Sequence, residues 1–151
     1  MTMKWTHANV LVLLLALPTG VLCAQDASHQ PLRPVSDCMR IDRINGWAVV
    51  DDRTVIVSNG PNRFKVTTEA SCPRLGTGNS LRFRAAPDKN SLGLSAICGE
   101  TGEAVFARDQ PPCAIASVEK IDKPAYDKLA KKAHHRGSGA DQPTAPPAGG
   151  R

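Results

Sequence analysis

The chain has 151 residues and a formal charge of +5, from 19 Lys and Arg against 14 Asp and Glu. Aromatic residues make up 4% of it, too few for a base-stacking platform, which argues against nucleic-acid binding. Its four histidines are His7, His29, His134 and His135, all near the ends, so neither a His-based metal site nor a Ser-His-Asp site is expected.

Taken in order, the chain opens with a short basic start, Met1 to Lys4, and the apolar run Val10 to Leu17, closed by Pro18. That run is shorter than the roughly 20 residues of a membrane-spanning helix but suits a secretory leader. Residues 1–24 are therefore read as a signal peptide cleaved after the small Ala24, leaving a charge of +4 and no transmembrane span. The implied location is the periplasm or the exterior, and the alternative is a lipid anchor on Cys23. Residues 25–36 hold Pro31 and Pro34 and read as an extended lead-in.

A β domain is expected over residues 37–122. Trp47-Ala48-Val49-Val50 and Val55-Ile56-Val57 are short β-branched runs separated by Asp51-Asp52-Arg53-Thr54, a polar turn. Ser58-Asn59-Gly60-Pro61-Asn62 is a second turn, after which Phe64 and Val66 alternate with Arg63, Lys65 and Thr67. The three strands form a meander. Glu69 to Ser80 is a loop, Leu81 to Ala85 a strand facing inward through Leu81 and Phe83, and Pro87 to Asn90 a turn. Leu92 to Cys98 and Ala104 to Ala107 are expected to pair as a hairpin around Gly99-Glu100-Thr101-Gly102. Ala114 to Ile121 is the last strand.

Residues 123–133 change to a helical period, with Tyr126, Leu129, Ala130 and Ala133 on one face, Pro124 in the first turn, and Asp127 and Lys131 spaced to pair. Residues 134–151, rich in Gly, Pro and Ala, are expected to be disordered. The fold class is mainly β: a small disulfide-stapled antiparallel sandwich or barrel with a short C-terminal helix.

Without the leader four cysteines remain, Cys38, Cys72, Cys98 and Cys113, an even number that suits two disulfides in an exported chain. No Cys-x-x-Cys occurs, which disfavours a zinc ribbon or a thioredoxin-like centre. Bracketing the middle strands favours Cys72–Cys98 with Cys38–Cys113, and the sequential pairing Cys38–Cys72 with Cys98–Cys113 is the alternative.

The pattern Cys38, Arg40, Ile44, Trp47, Val49, Asp51, Thr54 and Val57, with Cys72-Pro73, Cys98-Gly99 and Cys113 downstream, resembles a family of small exported proteobacterial proteins known only as a domain of unknown function. The resemblance covers Asp37 to Asp122 and implies a compartment and a fold type without a chemistry.

Candidate chemistry is sparse. Asp51-Asp52 suits a turn better than a catalytic carboxylate pair, and Gly76-x-Gly78 precedes a strand where a phosphate loop needs a helix. Arg40 and Arg43 beside Trp47 read as ion-pair partners of nearby aspartates more than as a recognition patch. The positive signal is Arg63, Lys65, Arg82 and Arg84, four cations that would share one sheet face if their strands were neighbours, with Arg74 at the rim. No catalytic residue, metal ligand or cofactor is assigned. The expected role is a non-catalytic envelope binding or accessory module whose partner is an anionic envelope component or another envelope protein. The alternative is an envelope hydrolase or an enzyme inhibitor.

Overall fold

Val55 and Val57 on one strand and Phe64 and Val66 on the next, all turned to one face, build the centre of the molecule. A computed structural model describes residues 34–78, 80–88 and 95–142, so the leader, Cys23, most of the lead-in and the last nine residues lie outside it. Strands β2 (Ile44–Val49), β3 (Thr54–Asn59) and β4 (Asn62–Thr68) form the expected meander. Trp47 lies opposite Val57, and Val57 opposite Phe64, so one face of all three strands is apolar. The first turn is closed by Val50 N donating to Thr54 O and by Asp51 Oδ1 accepting from Arg53 N. In the second, Gly60 takes φ +57°, a left-handed conformation that glycine adopts without steric cost.

Strand β8 (Cys113–Ile121) joins this meander to the rest of the sheet. Its body pairs with β4, and its first residues pair with β7 (Ala104–Phe106), which in turn pairs with β5 (Arg82–Arg84). The seven strands run in the order β5-β7-β8-β4-β3-β2-β9, with β9 being His135–Ser138. Every pairing is antiparallel, and the sheet curls into a half-barrel. The main apolar cluster lies on its inner face and runs from Met39 and Trp47 through Leu81 and Phe83 to Val118. Strands β1 (Met39–Arg40) and β6 (Ala96–Ile97) form a separate two-stranded ribbon.

Helix α1 (Lys123–Lys132) begins as the sequence indicates, with Pro124 in its first turn and Asp122 Oδ1 accepting from Ala125 N at 2.8 Å. It packs over the outer side of β3 and β4. Ala48 and Ile56, buried yet outside the main cluster, mark that outer side. Asp127 pairs with Lys123 at 2.5 Å, one turn before it, where Lys131 was the expected partner.

Four expectations are corrected. The segments ending at Cys98 and starting at Ala104 do not form a hairpin: β6 pairs with β1, and β7 lies between β5 and β8. The cause is Glu103, whose buried carboxylate accepts from the amides of Cys98, Gly99 and Glu100 and curls the loop around itself. The disulfides are Cys38–Cys98 and Cys72–Cys113, neither of the pairings expected. Met39 opposes Ile97, so Cys38 and Cys98 fall on the next rung of that ladder. Glu69 N donates to Ala114 O, which brings the chain after β4 alongside the start of β8 and so Cys72 near Cys113. Residues 134–142 are ordered rather than a disordered tail: β9 pairs along β2, followed by a 3-10 turn, Gly139–Asp141. Pro87 and Asp88 are helical, and the remainder of that expected turn lies outside the described residues.

Candidate functional site

The site is built at the rim of the sheet, where the β3–β4 turn meets the passage from β8 into α1. Gly60 N is held by Asn45 Oδ1 at 2.6 Å and by Arg43 O at 3.1 Å, which fixes the turn against β2. Arg63 follows it. Its Nη1 donates to the carbonyls of Gly60 and Asn62, both at 2.9 Å, and its guanidinium lies 5.4 Å from the centre of the Tyr126 ring. The turn carbonyls thus hold one edge of the guanidinium and Tyr126 of α1 lies against it, while Nε and Nη2 have no protein acceptor among the described residues.

Opposite Arg63, β8 ends at Lys120 and Ile121. Pro61, Asn62, Arg63, Lys120, Ile121, Asp122 and Lys123 line an open groove of about 230 Å³, the size of a small anion or a single sugar ring. Lys120 shares its sheet face with Phe64 and Arg63 looks toward the helix, yet both border the groove because it opens at the strand ends. The one carboxylate in the lining, Asp122, is committed to capping α1. Lys123 is paired with Asp127. Arg63 and Lys120 make no ion pair among the described residues, so even with Asp122 anionic the groove keeps a net positive charge. The helix N-terminus adds little to it, because Ala125 N is already taken by Asp122 and Pro124 has no N–H.

The four cations singled out from the sequence do not form one face. Arg63 and Lys65 on β4 are separated from Arg82 and Arg84 on β5 by β8 and β7, because strand order is set by how the chain returns and not by alternation within a strand. Lys65 is neutralised by Glu119 at 2.9 Å across β4–β8, and Arg84 stacks 4.6 Å from the Phe106 ring. Arg74 faces Asp109 at 3.8 Å. Only Arg63 of the predicted set borders the groove. Lys120 and Lys123 were missed, although Asp122-Lys123-Pro124-Ala125 is an N-cap signature that places both cations beside the β8 terminus.

The other candidates are structural. Asp51 and Asp52 serve their turn, Asp52 also accepting from Ser71 Oγ. Arg40 forks onto Asp42 through Nε and Nη2, and that hydrogen bond holds the Asp42 carboxyl below the usual carboxylate range. Trp47 is interior, so no Arg40–Arg43–Trp47 patch exists. His135 is not solvated tail. Its ring lies 5.4 Å from that of Trp47, and its Nε2 is 2.6 Å from Gly78 O, a carbonyl that can only accept. Gly76 leaves room for His134, since a Cβ there would lie 2.6 Å from His134 Nε2.

Among the described residues, no group of three or more His, Cys, Asp or Glu is placed to hold a metal ion. No described helix is long and apolar enough to cross a membrane. The two disulfides point to an oxidising, extracytoplasmic location. No curated protein and no solved structure matches the chain. A family model does match, over residues 1–137, a span that takes in α1 and most of β9 as well as the stretch from Asp37 to Asp122. The chain therefore belongs to that family, described as a family of unknown function, DUF6491.

Proposed function

We propose that the protein is an exported, non-catalytic binding module of the cell envelope, processed after Ala24 to a periplasmic or secreted form. It holds a phosphate-bearing envelope component at the groove between the β3–β4 turn and α1. The observation that carries this reading is the pairing of Arg63 and Lys120 across a groove whose one carboxylate is already used as a helix cap. Half of the Arg63 fork is held in place and half is open, which suits capture of a phosphate oxygen. Around the groove the cations continue. From Glu119 to Arg136 the chain has six Lys and Arg against three acids.

The test is association with vesicles containing phosphatidylglycerol, compared with phosphatidylcholine vesicles and with inorganic phosphate in solution. A cation near an anionic surface is worth about 1 kcal/mol, so the double variant Arg63→Ser/Lys120→Ser should bind about 30-fold more weakly to the anionic vesicles. Its melting temperature should stay within a few degrees. The variant Arg82→Ser/Arg84→Ser should bind like the parent. Equal losses in both variants would show diffuse attraction to basic charge and sink the groove, as would undiminished binding by the first.

A further inference from the structure

The segment from Asp122 to Gln142 covers the core without belonging to it. Among the described residues, the main apolar cluster contains none beyond Val118. No residue of α1 is buried, and among the described residues after Val118 only Gln142 is. What the segment does is bridge the open side of the half-barrel. Strand β9 pairs along β2, with Gly137 opposite Trp47 and Arg136 opposite Ala48. Gln142 then reaches the far edge strand: its Oε1 accepts from Phe83 N at 3.1 Å and its Nε2 donates to Leu81 O at 2.5 Å. A carboxamide is a peptide group in miniature, so this side chain supplies to β5 one rung of the ladder that a neighbouring strand would supply.

The slot is cut to this segment. A Cβ at Gly137 would lie 2.1 Å from Trp47 Cζ2, and one at Gly139 would lie 1.6 Å from Ile44 O. An ordinary strand carrying side chains at those positions cannot enter, but an identical segment from another molecule can. Between β8 and α1 there is one residue, Asp122, whose backbone is extended (φ −76°, ψ 168°), so a change of dihedrals there redirects everything after it.

We propose that Asp122 to Gln142 is an exchangeable arm whose alternative acceptor is the vacated slot of a second copy of this chain. Reciprocal exchange gives a two-fold dimer in which each arm makes on its partner the contacts it makes at home. Since those contacts are the same, concentration and the conformation at Asp122 set the balance. A released arm leaves Trp47 and the β5 edge uncovered, and a second arm covers them.

The test uses register partners across β2 and β9. Two purified single variants, Ala48→Cys and Arg136→Cys, are mixed, concentrated, warmed below the melting transition and mildly oxidised. Exchange brings position 48 of one chain against position 136 of the other. The expected result is a disulfide-linked heterodimer, mapped by mass to those two positions and more abundant than either homodimer. Placing Gly137→Val in both chains, which bars the arm from either slot, should abolish it. A heterodimer no more abundant than the homodimers, or one that survives Gly137→Val, overturns the proposal. Native mass spectrometry of isotope-labelled and unlabelled parent protein, treated the same way, removes any dependence on the new cysteines. Mixed-mass dimers support exchange, and persistent monomers overturn it.

Discussion

Glu103 is 1% exposed, and its carboxylate accepts from Cys98 N at 2.9 Å, Gly99 N at 2.7 Å and Glu100 N at 2.9 Å. A buried carboxylate is tolerated only when such donors replace its hydration. Converting it to an amide removes an acceptor and turns an N–H group toward other N–H groups. Glu103→Gln should therefore cost about 2–4 kcal/mol, read as a lower urea midpoint at unchanged slope. A loss under about 0.5 kcal/mol would mean that the amides find other acceptors, and the account of the loop would fail. Nothing in the sequence marks this role, because the three donors are backbone groups and leave no residue-type signature. Gly99 and Gly102, both at positive φ, announce a turn there but not what it wraps. That is why a hairpin was the natural expectation. Lys65 shows the same limit: its outward direction is legible from alternation, whereas its neutralisation by Glu119 depends on which strand lies beside it.

At the scale of elements, legibility follows how local the cause is. The β2–β3–β4 meander, the inward Leu81 and Phe83, and α1 all rest on period and turn chemistry within a few residues, and all appear in the structure. Strand β9 does not. His135-Arg136-Gly137-Ser138 has little intrinsic β preference, and it is a strand because Gly137 lets its backbone lie on the Trp47 indole. The indole Nε1 finds no acceptor among the described residues, which costs stability. Gly137→Ala sets a methyl into the indole and should displace β9, at about 1–3 kcal/mol. Without residues 1–24, Trp47 is the sole tryptophan, so its emission should shift to the red while the far-ultraviolet signal of the main sheet stays. Unshifted emission would mean that β9 moves over without leaving, and that its fit on Trp47 is looser than the geometry implies.

For the molecule as a whole, the two bridges decide how the layers are held. Cys38–Cys98 spans 60 residues of sequence and ties the β1–β6 ribbon, while Cys72–Cys113 spans 41 and lies within the main apolar cluster. The two loops overlap between Cys72 and Cys98, so the bridges cross in sequence. Four cysteines admit three pairings, and contacts of long range select this one: the ladder between β1 and β6 and the bond from Glu69 N to Ala114 O. Chain entropy assigns nearly equal worth to the two bridges, about 4 kcal/mol each, because closure depends on the logarithm of loop length. Since the loops share a segment, the second bridge closes a chain already shortened by the first, and the two contributions should not add. Cys38→Ala/Cys98→Ala and Cys72→Ala/Cys113→Ala should thus destabilise alike, and the variant lacking all four should lose more than the sum of the two, because in each single-bridge variant the remaining bridge still shortens the loop that was opened. Equilibrium urea unfolding of the three proteins measures this directly. If the core bridge proved worth several times the ribbon bridge, packing in the folded state would govern both, and the seven-stranded sheet would hold together with the ribbon as a dispensable attachment.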